Sequence, residues 1–254
     1  MTRGLEGKVA VITGAGAGMG RAHARLMAER GAKVAVQDIR PDAAAETVRL
    51  IRADGGEADF LAGDVADKAH ILELVRMAES RFGRIDILVN NAGVPGELGT
   101  TETTTEAGFD RTYAVNVKGM VFATQAVVPG MKARRSGKIV NISSRWAQVG
   151  SDFGIDYCGT KAAVLGLTKA WAKELAPWRI CVNAVAPGGV WTDMALQERG
   201  TPEEIREVEK SVPLGRWAQP RELAFAVAFL ASPEADFITG QVIAANGGAT
   251  IVGF

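Results

Sequence analysis

The amino-acid sequence predicts an α/β fold with a doubly wound parallel sheet of about seven strands and helices on both faces. Short apolar runs rich in β-branched residues alternate along the chain with stretches of helical length. Polar residues or glycines follow most of these runs, so they would gather at the carboxyl edge of a parallel sheet, where ligands of open α/β sheets bind. The length of 254 residues fits one large domain, residues 1–254, better than two.

Residues 8–13 (KVAVIT) form the first predicted strand, and the chain then enters a glycine-rich turn. A helix follows until Gly31 stops it, and the second strand, residues 33–38 (KVAVQD), ends at Asp38. This order is the layout of a dinucleotide site, because bare backbone lets a pyrophosphate approach the helix N-terminus and the acid can bind ribose hydroxyls. A glycine-rich turn that binds nothing is the alternative.

The spacing of these glycines narrows the type of turn. Glycines occupy positions 14, 16, 18 and 20. They do not match G-x-G-x-x-G, because Met19 occupies the last slot counted from Gly14, but they fit Gly14-x-x-x-Gly18-x-Gly20. A Rossmann-type dinucleotide-binding sheet is therefore predicted.

After the second strand the alternation continues to the C-terminus. Further strands are predicted at 57–62, 84–89, 138–143, 179–186 and 241–245. Helices are predicted at 41–53, about 67–82, about 106–131, from about 157 until Pro177 breaks the helix, and about 220–231. The residues that follow these strands are Asp64 and Val65; Asn90, Asn91, Ala92 and Gly93; Ser143 and Ser144; Pro187 and Gly188; and Asn246, Gly247 and Gly248.

Tyr157 and Lys161 are the candidate catalytic pair. A spacing of four residues on a helix puts the phenol and the ammonium on one face, about one turn apart. A phenol titrates near about 10, so one that exchanges protons at neutral pH needs a nearby positive charge to lower its pKa. Ser144 can supply a hydroxyl to the same reacting oxygen. The alternative is a tyrosine at a helix start beside a solvated lysine.

Composition excludes several classes of function. Lys plus Arg and Asp plus Glu are 29 each, so no overall charge attracts nucleic acid or an anionic membrane. No apolar run approaches the roughly 20 residues of a membrane span and no apolar signal segment precedes the first strand, which predicts a soluble, cytoplasmic protein. The two cysteines and two histidines lack the spacing of metal ligands, so no metal is predicted.

With these residues placed, the chain resembles the short-chain dehydrogenase/reductase family along almost its whole length. The matching features are the cofactor turn of Thr13, Gly14, Gly18 and Gly20; the adenine-side pair Asp64 and Val65; the run Asn90, Asn91, Ala92 and Gly93; the catalytic tetrad Asn116, Ser144, Tyr157 and Lys161; and the nicotinamide loop of Pro187, Gly188 and Thr192. Asn246 departs from the family's usual aspartate, and Arg145 with Trp146 stands where small residues are common.

The resemblance implies an oxidoreductase in which Tyr157 is the general acid/base. While nicotinamide delivers hydride to a carbonyl carbon, Tyr157 would protonate the oxygen and Ser144 would hydrogen-bond it. Lys161 would lower the phenol pKa and hold the nicotinamide ribose, and Asn116 would help relay protons through ordered water. The implied cofactor-binding residues are Gly14, Gly18, Met19, Gly20, Asp38, Ile39, Asp64, Val65, Asn91, Ala92, Gly93, Tyr157, Lys161, Pro187, Gly188, Val190 and Thr192.

Asp38 predicts NAD(H) rather than NADP(H). A carboxylate at the end of the second strand can accept both ribose hydroxyls, whereas a 2′-phosphate would meet like charge. Ala17 offers no compensating cation, and Arg40 is the one basic residue near enough in sequence to soften the preference.

Three other classes of function are weighed against a dehydrogenase. A non-catalytic dinucleotide-binding sensor would have the same fold but would not need Ser144, Tyr157 and Lys161. A related epimerase or dehydratase usually has a different glycine spacing and a longer C-terminal region. A hydrolase is excluded, because no G-x-S-x-G elbow is present.

The predicted substrate is a ketone or secondary alcohol with a bulky, mostly apolar body, in a pocket closed by a lid at about 190–213. The expected pocket walls are Trp146, Val149, Phe153, Trp191 and Met194. Arg145 is expected either to pair with Asp152 or Asp156 or to bind a substrate carboxylate. A 3-oxoacyl thioester is the alternative substrate, although that chemistry usually runs on NADPH.

A homotetramer is expected, because two helical stretches carry apolar belts wider than one sheet face requires. The belt in 161–176 comprises Ala162, Ala163, Leu165, Leu167, Ala170, Trp171 and Leu175, and the belt in 117–128 comprises Val117, Met120, Val121, Phe122, Ala126 and Val127. Pairing with symmetry mates would bury both belts, and the family resemblance implies the same arrangement. A monomer with fully buried helices is the alternative.

Overall fold

Seven parallel strands form one sheet in the computed structural model, which describes residues 4–252 except the side chains of 197–199. The strands are β1 (Val9–Ile12), β2 (Lys33–Asp38), β3 (Ala58–Ala62), β4 (Ile87–Asn90), β5 (Gly137–Ile142), β6 (Ile180–Val185) and β7 (Val242–Ile243). Their order is β3-β2-β1-β4-β5-β6-β7. The second and third strands thus lie on one side of β1, and the strands from β4 onward lie on its other side. A crevice opens at such a switch point, outside the carboxyl ends of the strands.

Ten helices surround the sheet within the described part of the chain. They are α1 (Gly18–Glu29), α2 (Pro41–Ala53), α3 (Lys68–Phe82), α4 (Glu106–Tyr113), α5 (Met120–Arg134), α6 (Trp146–Val149), α7 (Ile155–Leu175), α8 (Asp193–Arg199), α9 (Pro202–Glu209) and α10 (Pro220–Leu230). Short 3₁₀ turns occur at Ala176–Trp178 and Pro233–Ala235. None of the helices in residues 4–252 combines the length and the apolar character that a membrane crossing requires.

Two hydrophobic clusters, one on each face, hold the helices on the sheet. Successive side chains of a strand point to opposite faces, and β1 shows this directly: Ala10 and Ile12 belong to one cluster and Val11 to the other. The first cluster contains side chains of α1, α2 and α10, and the second contains side chains of α3, α5 and α7. The predicted doubly wound sheet is therefore confirmed.

Two predicted elements differ from the structure. The last strand, predicted over 241–245, is only Val242–Ile243, because it lies at the sheet edge and pairs with β6 at two positions. The helix predicted over 106–131 is interrupted by a π-helical turn, Ala114–Gly119, and then continues to Arg134. Gly119 packs so closely against Val65 that a Cβ there would lie 2.9 Å from the Val65 carbonyl oxygen. The π turn contains Asn116, a predicted site residue.

His23 on α1 makes stability depend on pH. It is 1% exposed, neither ring nitrogen has a hydrogen-bond partner, and burial lowers its pKa to about 3. Below about pH 6.5 the unfolded chain binds a proton there that the folded chain does not, so stability is lost as pH falls towards the folded pKa. Between pH 8 and 5 this loss amounts to about 2 kcal/mol.

Replacing His23 by leucine is therefore expected to flatten the pH dependence. Urea unfolding of both proteins at several pH values between 8 and 5 measures this pH dependence. The other histidine, His70, is present in both proteins, so its contribution drops out of the comparison. A His23→Leu protein that loses as much stability on acidification as the wild type would show that His23 is not the group responsible.

Candidate active site

Two adjoining clefts open along the carboxyl edge of the sheet. One lies over the glycine turn and the ends of β2 and β3. The other lies over the end of β5 and the start of α7. Both clefts are lined by Met19, Asn91, Gly93, Thr192 and Met194. The first is called the cofactor cleft below and the second the substrate cavity.

The glycine turn presents bare backbone to the cofactor cleft. Gly14 has a φ of +62°, and a Cβ there would lie 2.8 Å from the Cα of Ala92, so the backbone conformation and the close approach both require glycine. The helix α1 begins at Gly18, and the side chain of its N-cap residue Ala17 makes no capping hydrogen bond. The first N–H groups of α1 are thus available to an anion, which is the arrangement that binds a pyrophosphate.

Thr13 and Asn91 fix the position of this turn. The hydroxyl of Thr13 accepts hydrogen bonds from the backbone N–H groups of Asn91 and Ala92, both at 3.1 Å. The side-chain amide of Asn91 donates to the carbonyls of Thr13 (2.9 Å) and Gly14 (3.0 Å). These hydrogen bonds therefore join the turn after β1 to the turn after β4 across the switch point.

Asp38 lies buried at the end of β2 and lines the cofactor cleft. One carboxylate oxygen accepts from the backbone N–H of Gly16 at 2.8 Å, and the other accepts from that of Arg40 at 3.0 Å. The Arg40 guanidinium lies 3.6 Å from the same carboxylate, and its side chain is mostly exposed. Ile39, between them, is exposed at the mouth of the cleft.

Asp64 and Val65 form the other side of the cofactor cleft. Asp64 pairs with Arg111 of α4 at 2.7 Å and accepts from the backbone N–H of Ala66 at 2.9 Å. Partial burial alone would raise the pKa of the Asp64 carboxyl, but these two donors outweigh it and the pKa lies below its ordinary value. Val65 is buried against the π turn. The bare turn, the acid and this apolar side together fit a dinucleotide.

Lys161 lies one helical turn after Tyr157 on α7, as predicted. It is 4% exposed, its ammonium donates to the carbonyl of Ile142 at 3.0 Å, and it lies 5.5 Å from the centre of the Tyr157 ring. Burial lowers the pKa of Lys161 to about 8, so at neutral pH it still carries most of a positive charge beside the phenol. Tyr157, Lys161 and Ser144 all line the substrate cavity.

Asn116 lies behind Tyr157 and Lys161 rather than in the cavity wall. Its side-chain oxygen accepts from the N–H of Val94 at 2.8 Å, and its amide donates to the Val94 carbonyl at 3.0 Å and to the hydroxyl of Thr160 at 3.1 Å. The Thr160 hydroxyl donates in turn to the carbonyl of Tyr157 at 2.8 Å. A Cβ on Gly93 would lie 3.2 Å from the Asn116 oxygen and 3.3 Å from the Lys161 ammonium, so bare backbone separates the two.

The loop after β6 borders both clefts. Pro187, Gly188 and Val190 line the substrate cavity, and Thr192 lines both clefts. The Thr192 hydroxyl caps α8 by accepting from the N–H of Ala195 at 3.2 Å. Asn246, which departs from the family's usual aspartate, is buried next to Gly188 and hydrogen-bonds within its own turn, to the Thr250 carbonyl (2.9 Å) and the Gly248 N–H (3.0 Å).

Three of the predicted substrate-contacting residues, Arg145, Trp146 and Met194, line the substrate cavity. Trp146 packs edge-on against the Tyr157 ring at 5.6 Å, and Phe153 packs behind it at 5.0 Å, outside the lining. Val149 is 56% exposed on the short helix α6. For Arg145, an ion pair with Asp152 or Asp156 and binding of a substrate carboxylate both stay predictions. Asp156 is fully buried and accepts from the Thr112 hydroxyl at 2.7 Å.

Trp191 does not line the cavity, and Trp217 lines it instead. Trp191 packs on Trp217 with ring centres 6.0 Å apart and donates its indole N–H to Glu209 at 2.9 Å. The apolar wall also contains Ala195, Val208 and Val212 from the predicted lid, and Trp217 and Ala249, which the sequence did not indicate. These residues come from loops and short helices whose path no hydrophobic period reveals.

Gln37 and Arg111 are two further residues of the cofactor cleft that sequence reasoning missed. The side chain of Gln37 accepts from the Gly14 N–H at 3.1 Å and donates to the Gly63 carbonyl at 2.6 Å, so it joins the turns after β1 and β3. Its place directly before Asp38 was the available signal. Arg111 is 47 positions from its partner Asp64 and carried no signal of its own.

Comparisons with known proteins agree with this geometry. A family model described as enoyl-(acyl carrier protein) reductase matches residues 14–250. The chain is 42% identical over 248 residues to a 3-oxoacyl-(acyl-carrier-protein) reductase of Thermotoga maritima, which covers 97% of this chain and 99% of that protein. It is 38% identical over 246 residues to a cyclopentanol dehydrogenase of Comamonas testosteroni, which covers 97% and 98%.

A solved structure shows the same architecture. The 7α-hydroxysteroid dehydrogenase complexed with NADH and 7-oxo glycochenodeoxycholic acid superposes with a TM-score of 0.92 at 38% identity, covering 97% of this chain and 96% of that one. The chain belongs to the short-chain dehydrogenase/reductase family. It is an oxidoreductase that acts on alcohol or ketone groups with a nicotinamide cofactor.

Proposed function

We propose that the protein is an NAD(H)-dependent dehydrogenase for a ketone or secondary alcohol with a bulky, apolar body. The observation that carries this proposal is the junction of the two clefts. Tyr157, Ser144 and Lys161 line the substrate cavity beside Gly93 and Asn91, which also line the cofactor cleft. A carbonyl carbon bound at Tyr157 would thus lie next to a nicotinamide bound over the shared residues.

The residues of this chain act on the substrate oxygen. A bound nicotinamide supplies or takes up the hydride. Tyr157 gives a proton to the carbonyl oxygen in reduction or takes it from the hydroxyl in oxidation, and Ser144 hydrogen-bonds the same oxygen. Lys161 favours the phenolate, because its ammonium is buried beside the phenol, where opposite charges attract more strongly than in water. The Ile142 carbonyl holds this ammonium at 3.0 Å. Asn116 fixes the backbone next to Tyr157 through Thr160.

The chain's own residues also hold the cofactor in this proposal. The N-terminus of α1, with Gly18, Met19 and Gly20, holds the pyrophosphate, and Asp38 holds the adenosine ribose. The remaining contacts are assigned to Gly14, Ile39, Asp64, Val65, Asn91, Ala92, Gly93, Pro187, Gly188, Val190 and Thr192.

The apolar body of the substrate is inferred from the cavity walls. Trp146, Trp217, Met194, Val208 and Val212 offer aromatic and aliphatic surface, and each methylene buried there stabilises the complex by about 0.8 kcal/mol. Relatives named for a cyclopentanol and a 7α-hydroxysteroid fit the same description. The second candidate is reduction of a 3-oxoacyl thioester, which the name of the 42% identical relative favours.

Comparing kcat/KM for a cyclic or aryl ketone, a small aliphatic ketone, a keto acid and a 3-oxoacyl thioester tests the substrate class. The cyclic or aryl ketone is expected to give the highest value. The proposal fails if the keto acid gives the highest value and Arg145→Ala abolishes that preference, because the arginine would then anchor the substrate. A highest value for the thioester establishes the second candidate instead.

We propose that residues 190–213 form a lid over the substrate cavity. This lid segment contains α8 and α9, which lie outside the sheet, and its residues Met194, Ala195, Val208 and Val212 face the cavity. Short helices with few contacts to the sheet are suited to open and close.

We also propose a homotetramer. In α7, Leu165, Leu167 and Trp171 remain only partly buried, and so do Val121 and Phe122 in α5. Pairing of each helix with its symmetry mate would cover these side chains. Light scattering at micromolar concentration checks this, and a monomer there would contradict it.

A further inference from the structure

The lid segment has a small hydrophobic core of its own. The cluster comprises Ala195, Ile205, Val212 and Trp217, with Trp191, Val208 and Ala249 packed against it. Trp217 comes from the chain just after the lid, and its buried ring lines the substrate cavity. The position of this ring therefore depends on how the lid segment is held.

Glu209, the last residue of α9, joins the lid to both sides of this cluster. One of its carboxylate oxygens accepts from the indole N–H of Trp191 at 2.9 Å and from the backbone N–H of Trp217 at 2.7 Å. A negative charge at a helix C-terminus is disfavoured by the helix dipole, so the Glu209 carboxylate does not stabilise α9. Charge-assisted hydrogen bonds are stronger than neutral ones. The bond to the Trp217 N–H leaves the lid segment, and the bond to Trp191 joins the two ends of that segment.

The other acidic residues of α9 bond within their own helix or its cap. Glu203 pairs with Arg206 at 3.0 Å and Glu207 with Lys210 at 2.6 Å. Glu204 completes the capping box with Thr201. Glu209 thus differs from its neighbours in bonding to groups beyond α9 and its ends.

Trp217 is packed against the loop that follows β6. A Cβ at position 189 would overlap the Trp217 ring, so the indole lies directly on the Gly189 backbone. The chain on either side is tied by Trp191 N–H to the Ala218 carbonyl and by Ala218 N–H to the Gly189 carbonyl, both at 3.0 Å. Glu209 therefore bonds to both strands of this short parallel bridge, one through Trp191 and the other through Trp217.

We infer that Glu209 is a positioning residue that holds the lid segment closed and sets the place of Trp217 in the substrate wall. The inference rests on the proposed function in two respects, that residues 190–213 form a lid and that the Trp217 wall receives an apolar substrate. The first test needs no substrate and uses the cofactor-free protein.

Hydrogen exchange of the backbone amides in 193–209 measures lid opening. Glu209→Ala is expected to speed exchange by about tenfold, because it removes two hydrogen bonds to a charged acceptor. Glu209→Gln is expected to speed exchange less than Glu209→Ala, because its amide oxygen can accept both hydrogen bonds but carries no charge. Glu207→Ala is the matched control on the same helix and is expected to leave exchange unchanged. Equal acceleration in both alanine variants, or none in Glu209→Ala, would overturn the inference.

Trp191→Phe provides a second variant in case Glu209→Ala does not fold. It keeps an aromatic ring against Trp217 and removes only one of the two donors, so a smaller acceleration in the same segment is expected. Exchange as slow as wild type in this variant would count against the inference.

Steady-state kinetics with the best ketone separate positioning from general destabilisation. Glu209→Ala is expected to raise KM by about tenfold while kcat changes by less than about twofold, since the lost contacts act on binding rather than on the chemical step. A fall in kcat at unchanged KM would contradict the assigned role. If the wild type turns over no ketone, the proposed function fails, while the exchange measurement still decides the role of Glu209.

Discussion

Tyr157→Phe is expected to lower ketone reduction by roughly 10²–10⁴-fold, the usual contribution of a general acid/base. Only the ionisable hydroxyl is lost. The ring keeps its edge contact with Trp146, whose ring centre lies 5.6 Å away, and its place over Lys161. Fold and cofactor binding are therefore expected to stay close to wild type.

Two measurements are needed for the Tyr157→Phe protein. Fluorescence titration with NADH gives cofactor affinity, and the absorbance of reduced nicotinamide gives turnover. Tyr113 offers a matched control, because it is the other tyrosine of the chain and packs on Phe109 of α4 at 4.4 Å. Tyr113→Phe is expected to keep turnover within about twofold, since its hydroxyl has no part in the proposed chemistry. A Tyr157→Phe protein that binds NADH and reduces ketones at near wild-type rate would remove Tyr157 from its role.

The kcat/KM with NADH is expected to exceed the kcat/KM with NADPH at least about tenfold. Asp38 is buried with both oxygens held by backbone N–H groups, so it cannot turn away from a 2′-phosphate. Two like charges about 4 Å apart repel by about 1 to 4 kcal/mol at dielectric constants between those of water and a protein surface. Arg40 lies 3.6 Å from the carboxylate and is mostly exposed, so it offsets only part of this repulsion.

Asp38→Asn tests the charge without changing the shape. Its amide oxygen can still accept from the Gly16 N–H, and the preference for NADH is expected to narrow several-fold. In the Arg40→Ala protein the preference is expected to widen, because the offsetting cation is gone. Steady-state kinetics with both cofactors decide the matter, and a higher kcat/KM with NADPH for the wild type would overturn the assignment of NAD(H).

The sequence predicts the sheet and its functional edge because both follow from local patterns. The apolar runs, the glycine turn and Asp38 each depend on neighbouring residues, and the parallel sheet then places Asn91, Ser144 and Pro187 along one edge without further information. The spacing of Tyr157 and Lys161 is likewise a property of one helix. The structure gives each of these residues the predicted place.

The parts that were missed depend on long-range packing. The π turn at Asn116 arises where Gly119 meets Val65, a contact between elements far apart in sequence. Trp217 replaces Trp191 in the cavity wall because Gly189 leaves room for one indole and Glu209 holds the other. Neither a hydrophobic period nor a motif encodes the path of a loop.

In the proposed reaction a nicotinamide and a carbonyl meet at Tyr157 and a hydride passes between them. The most direct measurement is the absorbance of reduced nicotinamide while the purified protein is mixed with NADH and a panel of ketones, and with NAD⁺ and the matching alcohols. Net oxidation of NADH with at least one bulky apolar ketone, and net reduction of NAD⁺ with its alcohol, is the predicted result. Tight binding of NADH and NADPH without net change in either cofactor across the panel would contradict the claim and favour a dinucleotide-binding sensor.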